Sequence, residues 1–161
     1  MWGIPYDDVK GWRGPYPPEV LAAQFEKVAV GWKPGIEELQ KAVDATPENL
    51  RAAAQADLRY ARASAIHFQS VANQTRFVMM RDALQTGASV LPMDERARMT
   101  RHLEGNIESE VALAKELFAL TREDSRIGFE PSCQYFYLPL DLVEKVINCQ
   151  WLLDAQDEWA R

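Results

Sequence analysis

A run of regularly spaced apolar and small residues in the middle of the sequence constrains the fold more than any other feature. Between residues 50 and 79 they recur at steps of three and four, which places all of them on one face of an α-helix. This spacing is typical of helices that pack side by side in bundles. The members of this seam are Leu50, Ala54, Leu58, Ala61, Ala65, Phe68, Ala72, Thr75 and Met79. Its many alanines predict that a neighbouring helix approaches closely.

Three further segments show helical periodicity. The first begins at Pro18, a residue suited to the first position of a helix, and keeps its apolar stripe in phase through Pro34. Because the phase is unbroken, the sequence predicts one kinked helix here and not two short ones. The second segment covers residues 93–123, and the third begins at Pro139 or Leu140 and runs to the end of the chain.

Turn-forming residues set the boundaries between these segments. Thr46 is placed to cap the seam helix at its N-terminus, and Gly87 is placed to end it. The sequence therefore predicts an all-α fold in which residues 19–161 form a single domain, a bundle of three to four long helices. Residues 1–18 hold three glycines and four prolines, which predicts a separate extended arm.

Aromatic residues are concentrated in two irregular segments. The arm holds four of the sixteen aromatic residues, and the loop before the last helix holds four more. Because rings left in water forfeit the free energy of burial, they are expected to be covered. Either the arm and the loop pack on one another and on the end of the bundle, or they face a further domain or a ligand. Residues 135–138 of the loop have strand propensity without an evident partner.

The charge of the chain restricts the class of partner. The formal net charge is −6, with 18 basic against 24 acidic side chains, which argues against a nucleic-acid partner because phosphate binding needs a concentrated basic face. No apolar run is long enough for a membrane span, and no secretory signal is visible at the first residues. The compartment is therefore left open, with the cytoplasm as the default.

The familiar catalytic and cofactor motifs are missing from the sequence. There is no zinc-protease, phosphate-loop, dinucleotide-binding or serine-nucleophile pattern, and two cysteines with two histidines make a poor metal set. The glutamates at 104, 108, 110 and 116 lack the Glu-x-x-His partner of a di-metal bundle, so a solvated helix face is the favoured interpretation. The sequence thus predicts no catalytic residue, no cofactor and no metal.

The histidines and cysteines are interpreted as structural residues. His67 and His102 each lie next to a seam residue, which favours hydrogen-bonded histidines at the edge of a core. Cys133 and Cys149 are taken as free thiols, with a bond between them left open.

Polar residues crowd the second half of the seam helix. They are Ser70, Asn73, Gln74, Arg76, Arg81 and Asp82. Because some of them must lie near the core, where polar groups need partners, the favoured interpretation is an interhelical network or a contact to the loop. The alternative is a ligand surface, for which Asn73, Gln74 and Arg76, with Trp12 of the arm, are the candidate contacts.

The loop at residues 124–139 is the second candidate surface. Asp124 and Arg126 are placed to pair, and Gly128 supplies backbone freedom. Burial of Glu130 between Phe129 and Pro131 would raise its pKa, as suits a general acid. Aromatic rings beside arginines and carboxylates also hold sugars, and Arg126, Glu130, Tyr135 and Tyr137 are the candidate contacts there.

Three stretches of the sequence carry a resemblance to a known group of proteins. They are PYDDVKGWRGPYPPEVLAAQFEKVAVGW, HFQSVANQTRFVMMRDAL and DSRIGFEPSCQYFYLPLDLVEKVINCQWLL, which lie between residues 5 and 153. They resemble the C-terminal helical region of large bacterial multidomain proteins of glycoside-hydrolase type. The resemblance implies that a catalytic (β/α)8 barrel precedes the helices in such proteins.

The resemblance implies a non-catalytic role for this chain. Without a barrel it lacks the carboxylate pair that glycoside hydrolysis requires. It is expected to be an accessory module of a carbohydrate-active protein that packs on the barrel and edges its sugar cleft. The alternative is a free-standing interaction protein, with a homodimer formed through the alanine-rich seam; a small enzyme that uses Glu130 as acid or base is a third hypothesis.

Overall fold

Four long helices account for most of the chain. The computed structural model describes residues 7–86, 91–130 and 135–155. The elements are α1 (Val9–Trp12), α2 (Pro18–Ala45), α3 (Glu48–Thr86), α4 (Met93–Glu123), β1 (Phe129–Glu130), β2 (Tyr135–Phe136) and α5 (Pro139–Asp154). The predicted all-α fold is confirmed, but α5 ends at Asp154 and does not run to the end of the chain as predicted. No helix within the described ranges has the length and apolar character needed to cross a membrane.

Proline residues begin two of the helices, as the sequence predicts. Pro18 opens α2, and Pro139 opens α5, where the Asp141 carboxylate accepts a hydrogen bond of 2.8 Å from the backbone N–H of Leu138. α2 continues through Pro34 as one helix. The hydroxyl of Thr46 acts differently from the expectation, because it donates a hydrogen bond of 2.7 Å to the Ala42 carbonyl at the end of α2.

The helices pack in the order in which they follow one another. α2 lies along α3, α3 packs on α4, and α4 packs on α5. The seam predicted on α3 faces these neighbours: Leu58, Ala72 and Thr75 are buried. At the contact between α2 and α3, the rings of Phe25 and Trp32 stack on Phe68 with centroids 6.3 and 6.4 Å apart.

The core of the bundle divides into two apolar clusters along the axes of α3, α4 and α5. The loop-side cluster joins α3, α4 and α5 to the segment after α4, and its buried members are Ile66, Ala114, Leu117, Leu120, Ile127 and Leu142. The distal cluster lies toward the end of α3, with Leu84, Leu103 and Ile107 buried and Cys149 and Leu152 of α5 packed against them. Polar side chains separate the two clusters.

The arm is not extended throughout, so that prediction is wrong for residues 9–12. These residues form the single turn α1, because the Asp8 side chain accepts a hydrogen bond of 2.8 Å from the Gly11 N–H and caps it. Val9 is buried, and Arg81 of α3 pairs with Asp7 at 3.2 Å. The arm is thereby fastened to α3, while residues 1–6 lie outside the described part of the chain.

A short hairpin joins α4 to α5. β1 and β2 pair antiparallel, with Phe129 opposite Phe136 and Glu130 opposite Tyr135. The strand propensity of residues 135–138 thus finds its partner in residues 129–130. Next to this pairing, Gly128 has φ +84°, and its carbonyl accepts a hydrogen bond of 2.6 Å from the Tyr137 N–H. A Cβ on Gly128 would collide with the backbone carbonyl of Tyr137, so both the conformation and the space require glycine.

We predict opposite effects for two glycine-to-alanine substitutions. Gly128→Ala should lower the free energy of unfolding by more than about 1 kcal/mol, because an L-residue is strained at this φ and the backbone must also move. Gly105→Ala is the matched control: it lies inside α4 with nothing within 4 Å of the added Cβ, and should stabilise by about 0.5–1 kcal/mol. Urea unfolding followed by circular dichroism measures both. Equal changes in the two variants would contradict the geometry of the hairpin.

Candidate functional site

A layer of polar side chains crosses the bundle between the two apolar clusters. α3 contributes Ser70 and Asn73, α4 contributes Asn106 and Glu110, and α5 contributes Lys145. Ser70, Asn73, Asn106 and Glu110 are all buried. We call these five residues the polar layer.

The Glu110 carboxylate is the centre of the polar layer. Its side chain is 7% exposed, and one oxygen lies 2.5 Å from the ammonium nitrogen of Lys145. The same oxygen accepts a hydrogen bond of 2.9 Å from the Ser70 hydroxyl, and the other oxygen accepts one of 2.8 Å from the Asn73 amide. A buried carboxylate is tolerated when it is both paired and hydrogen-bonded, and Glu110 meets both conditions.

The amides of the polar layer also have hydrogen-bond partners. The Asn73 amide nitrogen also donates to the Ser109 hydroxyl at 3.0 Å, and its side-chain oxygen accepts from Gln69 at 3.0 Å. Asn106 donates a bond of 2.9 Å to the backbone carbonyl of Asn73. Because buried amides without partners destabilise a fold, these bonds fix the relative height of α3 and α4.

Lys145 connects the polar layer to the loop. Its ammonium nitrogen lies 5.1 Å from the centre of the Tyr137 ring and donates to the Ser70 hydroxyl at 3.2 Å. Burial lowers the pKa of Lys145, but the attraction of the Glu110 carboxylate, with a further contribution from Tyr137, outweighs burial and raises the pKa above its ordinary value. Lys145 is therefore held in its charged form.

His67 lies beside the polar layer, on the side of the loop. With Ser70, Tyr137 and Lys145 it borders a space of only about 10 Å³, too small for more than one water molecule. Burial, with the positive charge of Lys145, lowers the pKa of His67, so the neutral imidazole is favoured. A structural role agrees with the sequence interpretation for His67, whereas His102 is exposed.

The structure brings three of the residues predicted as contacts into one place. Asn73 belongs to the polar layer, and Gln74 donates hydrogen bonds to the Ser70 hydroxyl at 2.9 Å and to the Tyr137 hydroxyl at 3.3 Å. The predicted interhelical network in the second half of the seam helix is confirmed for these residues. Arg76 lies apart from them, because its guanidinium makes two hydrogen bonds, of 3.1 and 2.5 Å, with the Glu26 carboxylate of α2.

Arg126 is fixed at a different position, where α4 ends. Its guanidinium pairs with both oxygens of Asp124 at 2.9 and 2.7 Å, as predicted, and lies over the Tyr60 ring at 5.7 Å. This guanidinium holds the pKa of the Asp124 carboxyl far below its usual range. The side chains of Trp12, Glu130 and Tyr135 lie outside the described part of the structure, so their predicted contacts stay predictions.

The sequence interpretation of Glu110 as part of a solvated face is wrong. Six of the eight buried residues of α4 recur at 103, 107, 110, 114, 117 and 121, so Glu110 occupies the seam position that an apolar pattern assigns to Val111. An apolar stripe drawn from Leu103 with strictly alternating steps of four and three includes position 110. Lys145 was missed because it lies next to Val146 on a face that the sequence marks as apolar.

An apolar stripe on α5 lies on the surface, facing away from the polar layer. Its members recur at steps of three and four: Leu140, Val143, Ile147 and Trp151, with exposures of 76, 42, 61 and 64%. The opposite face of the same helix buries Leu142 and packs Val146 and Cys149 on α4. α5 is therefore apolar on two faces, of which one remains uncovered.

The chemistry available at the polar layer is limited by its packing. The Glu110 carboxylate is neutralised by Lys145, and the adjoining space admits no substrate. Among the described residues, no group of three His, Cys, Asp or Glu side chains is arranged to hold a metal ion. Cys149 is a free thiol whose pKa is raised by burial, and Cys133 lies outside the described residues.

Comparison of the chain with protein-family models, with curated proteins and with solved structures gave no match.

We predict that Glu110 and Lys145 are energetically coupled. Glu110→Gln should lower the free energy of unfolding by about 3 kcal/mol, because it leaves a half-buried ammonium without its counter-charge. Lys145→Met should be at least as harmful, and the double variant should be more stable than the sum of the two losses by about 1–3 kcal/mol. Glu108→Gln, an exposed neighbour on α4, is the control and should change little. Strict additivity in urea unfolding would contradict the pairing.

We predict a loss of stability on mild acidification that depends on His67. Its pKa is lower in the folded than in the unfolded chain, so the unfolded chain binds more protons as the pH falls through about 6.5. The urea midpoint of the wild type should therefore decrease between pH 7.5 and 5.5, and that of His67→Gln should decrease less. His102 is exposed and present in both proteins, so its contribution to the change in urea midpoint is the same in both. An identical decrease in both would show that His67 stays accessible to protons.

Proposed function

We propose that this chain is a non-catalytic helical accessory module that packs through the outer face of α5 on another domain, the catalytic barrel of a carbohydrate-active protein. The observation that carries the proposal is the exposed stripe of Leu140, Val143, Ile147 and Trp151. Apolar surface in water is unfavourable by about 25 cal/mol per Å², so an aligned row of large apolar side chains on a helix is a typical docking surface. The identity of the partner domain rests on the sequence resemblance.

The charges around the stripe favour a partner that differs from this chain. The exposed polar residues that flank it on α5 include Glu144 and Asp154, and the only basic residue of the helix, Lys145, is paired inside with Glu110. Two copies joined through this face would bring acidic rims together in a chain of net charge −6. The complementary partner has an apolar recess with basic residues at its edge.

The closed packing of the polar layer supports a non-catalytic role. Glycoside hydrolysis needs two carboxylates on either side of a substrate. Glu110, the most enclosed carboxylate of the described chain, is occupied by Lys145, Ser70 and Asn73 and borders no space for a sugar. The layer instead holds α5 in a fixed position, which suits a helix that must present a rigid outer face.

The alternative function is self-association through the same face of α5. The alanine-rich seam is a poor surface for a homodimer, since Ala72, Thr75 and Leu58 at its centre are covered by the chain's own helices. The stripe on α5 is exposed, so a homodimer would form through this face. Sedimentation of the chain therefore distinguishes a dimer from a monomeric docking module.

We predict that the stripe is the main hydrophobic surface of the isolated chain. A double substitution, Ile147→Glu with Trp151→Glu, should reduce the fluorescence of a bound hydrophobic dye several-fold without lowering helix content, because both side chains lie outside the core. Leu50→Glu, on an exposed apolar residue of α3, is the matched control and should leave most of the dye signal. The wild type should sediment as a monomer, and a dimer abolished by the double substitution would establish the alternative function.

The carbohydrate part of the proposal needs a separate test. If it is correct, the DNA adjoining the coding region encodes a (β/α)8 barrel, and that barrel forms a complex with this chain in gel filtration. The Ile147→Glu variant should no longer form the complex. Hydrolysis of aryl glycosides by the chain alone would overturn the non-catalytic role.

A further inference from the structure

A cleft lined by charged side chains lies at the end of the bundle where α2 ends and α3 begins. It has a volume of about 450 Å³, within the range of small-molecule sites, and the end of α4 closes one side of it. Its charged lining consists of three arginines, Arg51, Arg59 and Arg62, and two carboxylates, Asp44 and Glu123. We call it the arginine cleft.

Arg59 is the residue of the cleft whose bonding is least complete. Its side chain is only 23% exposed, and the nearest carboxylate oxygen, on Glu123, is 3.7 Å from its guanidinium, beyond hydrogen-bond distance. Its Nε atom is buried without a partner among the described residues. A guanidinium has five N–H donors, and a partly buried one without acceptors destabilises the fold, so this side chain is suited to an added acceptor.

The other two arginines are held in place by the chain itself. Arg51 pairs with Glu48 at 2.5 Å and donates to the Thr46 carbonyl at 3.2 Å. Arg62 donates one hydrogen bond, of 3.1 Å, to the side chain of Gln40 on α2. These bonds hold two guanidinium groups in place, and within the described ranges Arg62 keeps further N–H donors that form no salt bridge with a carboxylate. Such preorganisation lowers the entropic cost of binding an anion.

We propose that the arginine cleft binds a small molecule that carries a phosphate or carboxylate group, with Arg59 and Arg62 as its main contacts. The planar N–H fork of arginine matches the oxygen pairs of both groups and forms two parallel hydrogen bonds with them. The bound anion supplies acceptors to Arg59, whose Nε atom has no hydrogen-bond partner among the described residues. The site is independent of the docking role of α5, because no residue of α5 lines the cleft.

Titration calorimetry of the whole chain with pyrophosphate and with citrate, at constant ionic strength, tests this site. We expect saturable binding of at least one of them, and the stronger response identifies phosphate or carboxylate as the preferred group. Arg59→Gln should weaken binding about tenfold or more, because it removes charge-assisted hydrogen bonds. Arg98→Gln is the control: it is an exposed arginine about 37 Å from Glu123 along α4, and it should bind as the wild type does.

Two further variants make the result decisive. Arg62→Lys keeps the charge but loses the fork, so it should also weaken binding, and it serves as a second test should Arg59→Gln fail to fold by circular dichroism. The double substitution on α5, Ile147→Glu with Trp151→Glu, should leave anion binding unchanged, which separates this site from the docking function. Absence of saturable heat with either anion, or equal affinity in the wild type and both arginine variants, would overturn the proposal.

Discussion

The ion pair between Glu110 and Lys145 is the interaction on which the arrangement of α3, α4 and α5 depends. It lies between two apolar clusters that by themselves would tolerate sliding of one helix past another. A shift of one turn would leave the Glu110 carboxylate buried without its counter-charge, at a cost of several kcal/mol. Because Ser70 and Asn73 bind the same carboxylate, one buried group fixes the register of α3, α4 and α5 together.

The register of these helices also determines which residues of α5 lie on the surface of the molecule. Lys145 points into the polar layer while Leu142 and Cys149 pack on α4, so the helix cannot rotate to hide its other apolar residues. Leu140, Ile147 and Trp151 therefore remain in water. The inner polar contact and the outer apolar stripe thus follow from the same orientation of α5, which explains how a stable helix keeps large apolar side chains on its surface.

The hairpin and the arginine cleft occupy the end of the bundle where α4 ends. Gly128 permits the close approach of the Tyr137 backbone, which brings the Tyr137 ring over the Lys145 ammonium and so links the loop to the polar layer. At the same end, Arg126 is neutralised by Asp124, whereas the nearest carboxylate to Arg59 among the described residues, on Glu123, is 3.7 Å away. Arg126 therefore stabilises the fold, whereas Arg59 is suited to bind a ligand.

The sequence by itself determined the helices, because the spacing of apolar residues, Pro18, Gly87 and Pro139 are local signals that need no partner. It also determined that Asp124 pairs with Arg126, two residues apart. Only the tertiary structure decided which polar residues lie inside and which apolar residues lie outside. The burial of Glu110, the turn at residues 9–12 and the exposure of Trp151 depend on contacts between distant segments, and spacing along one helix carries no information about what a neighbouring helix covers.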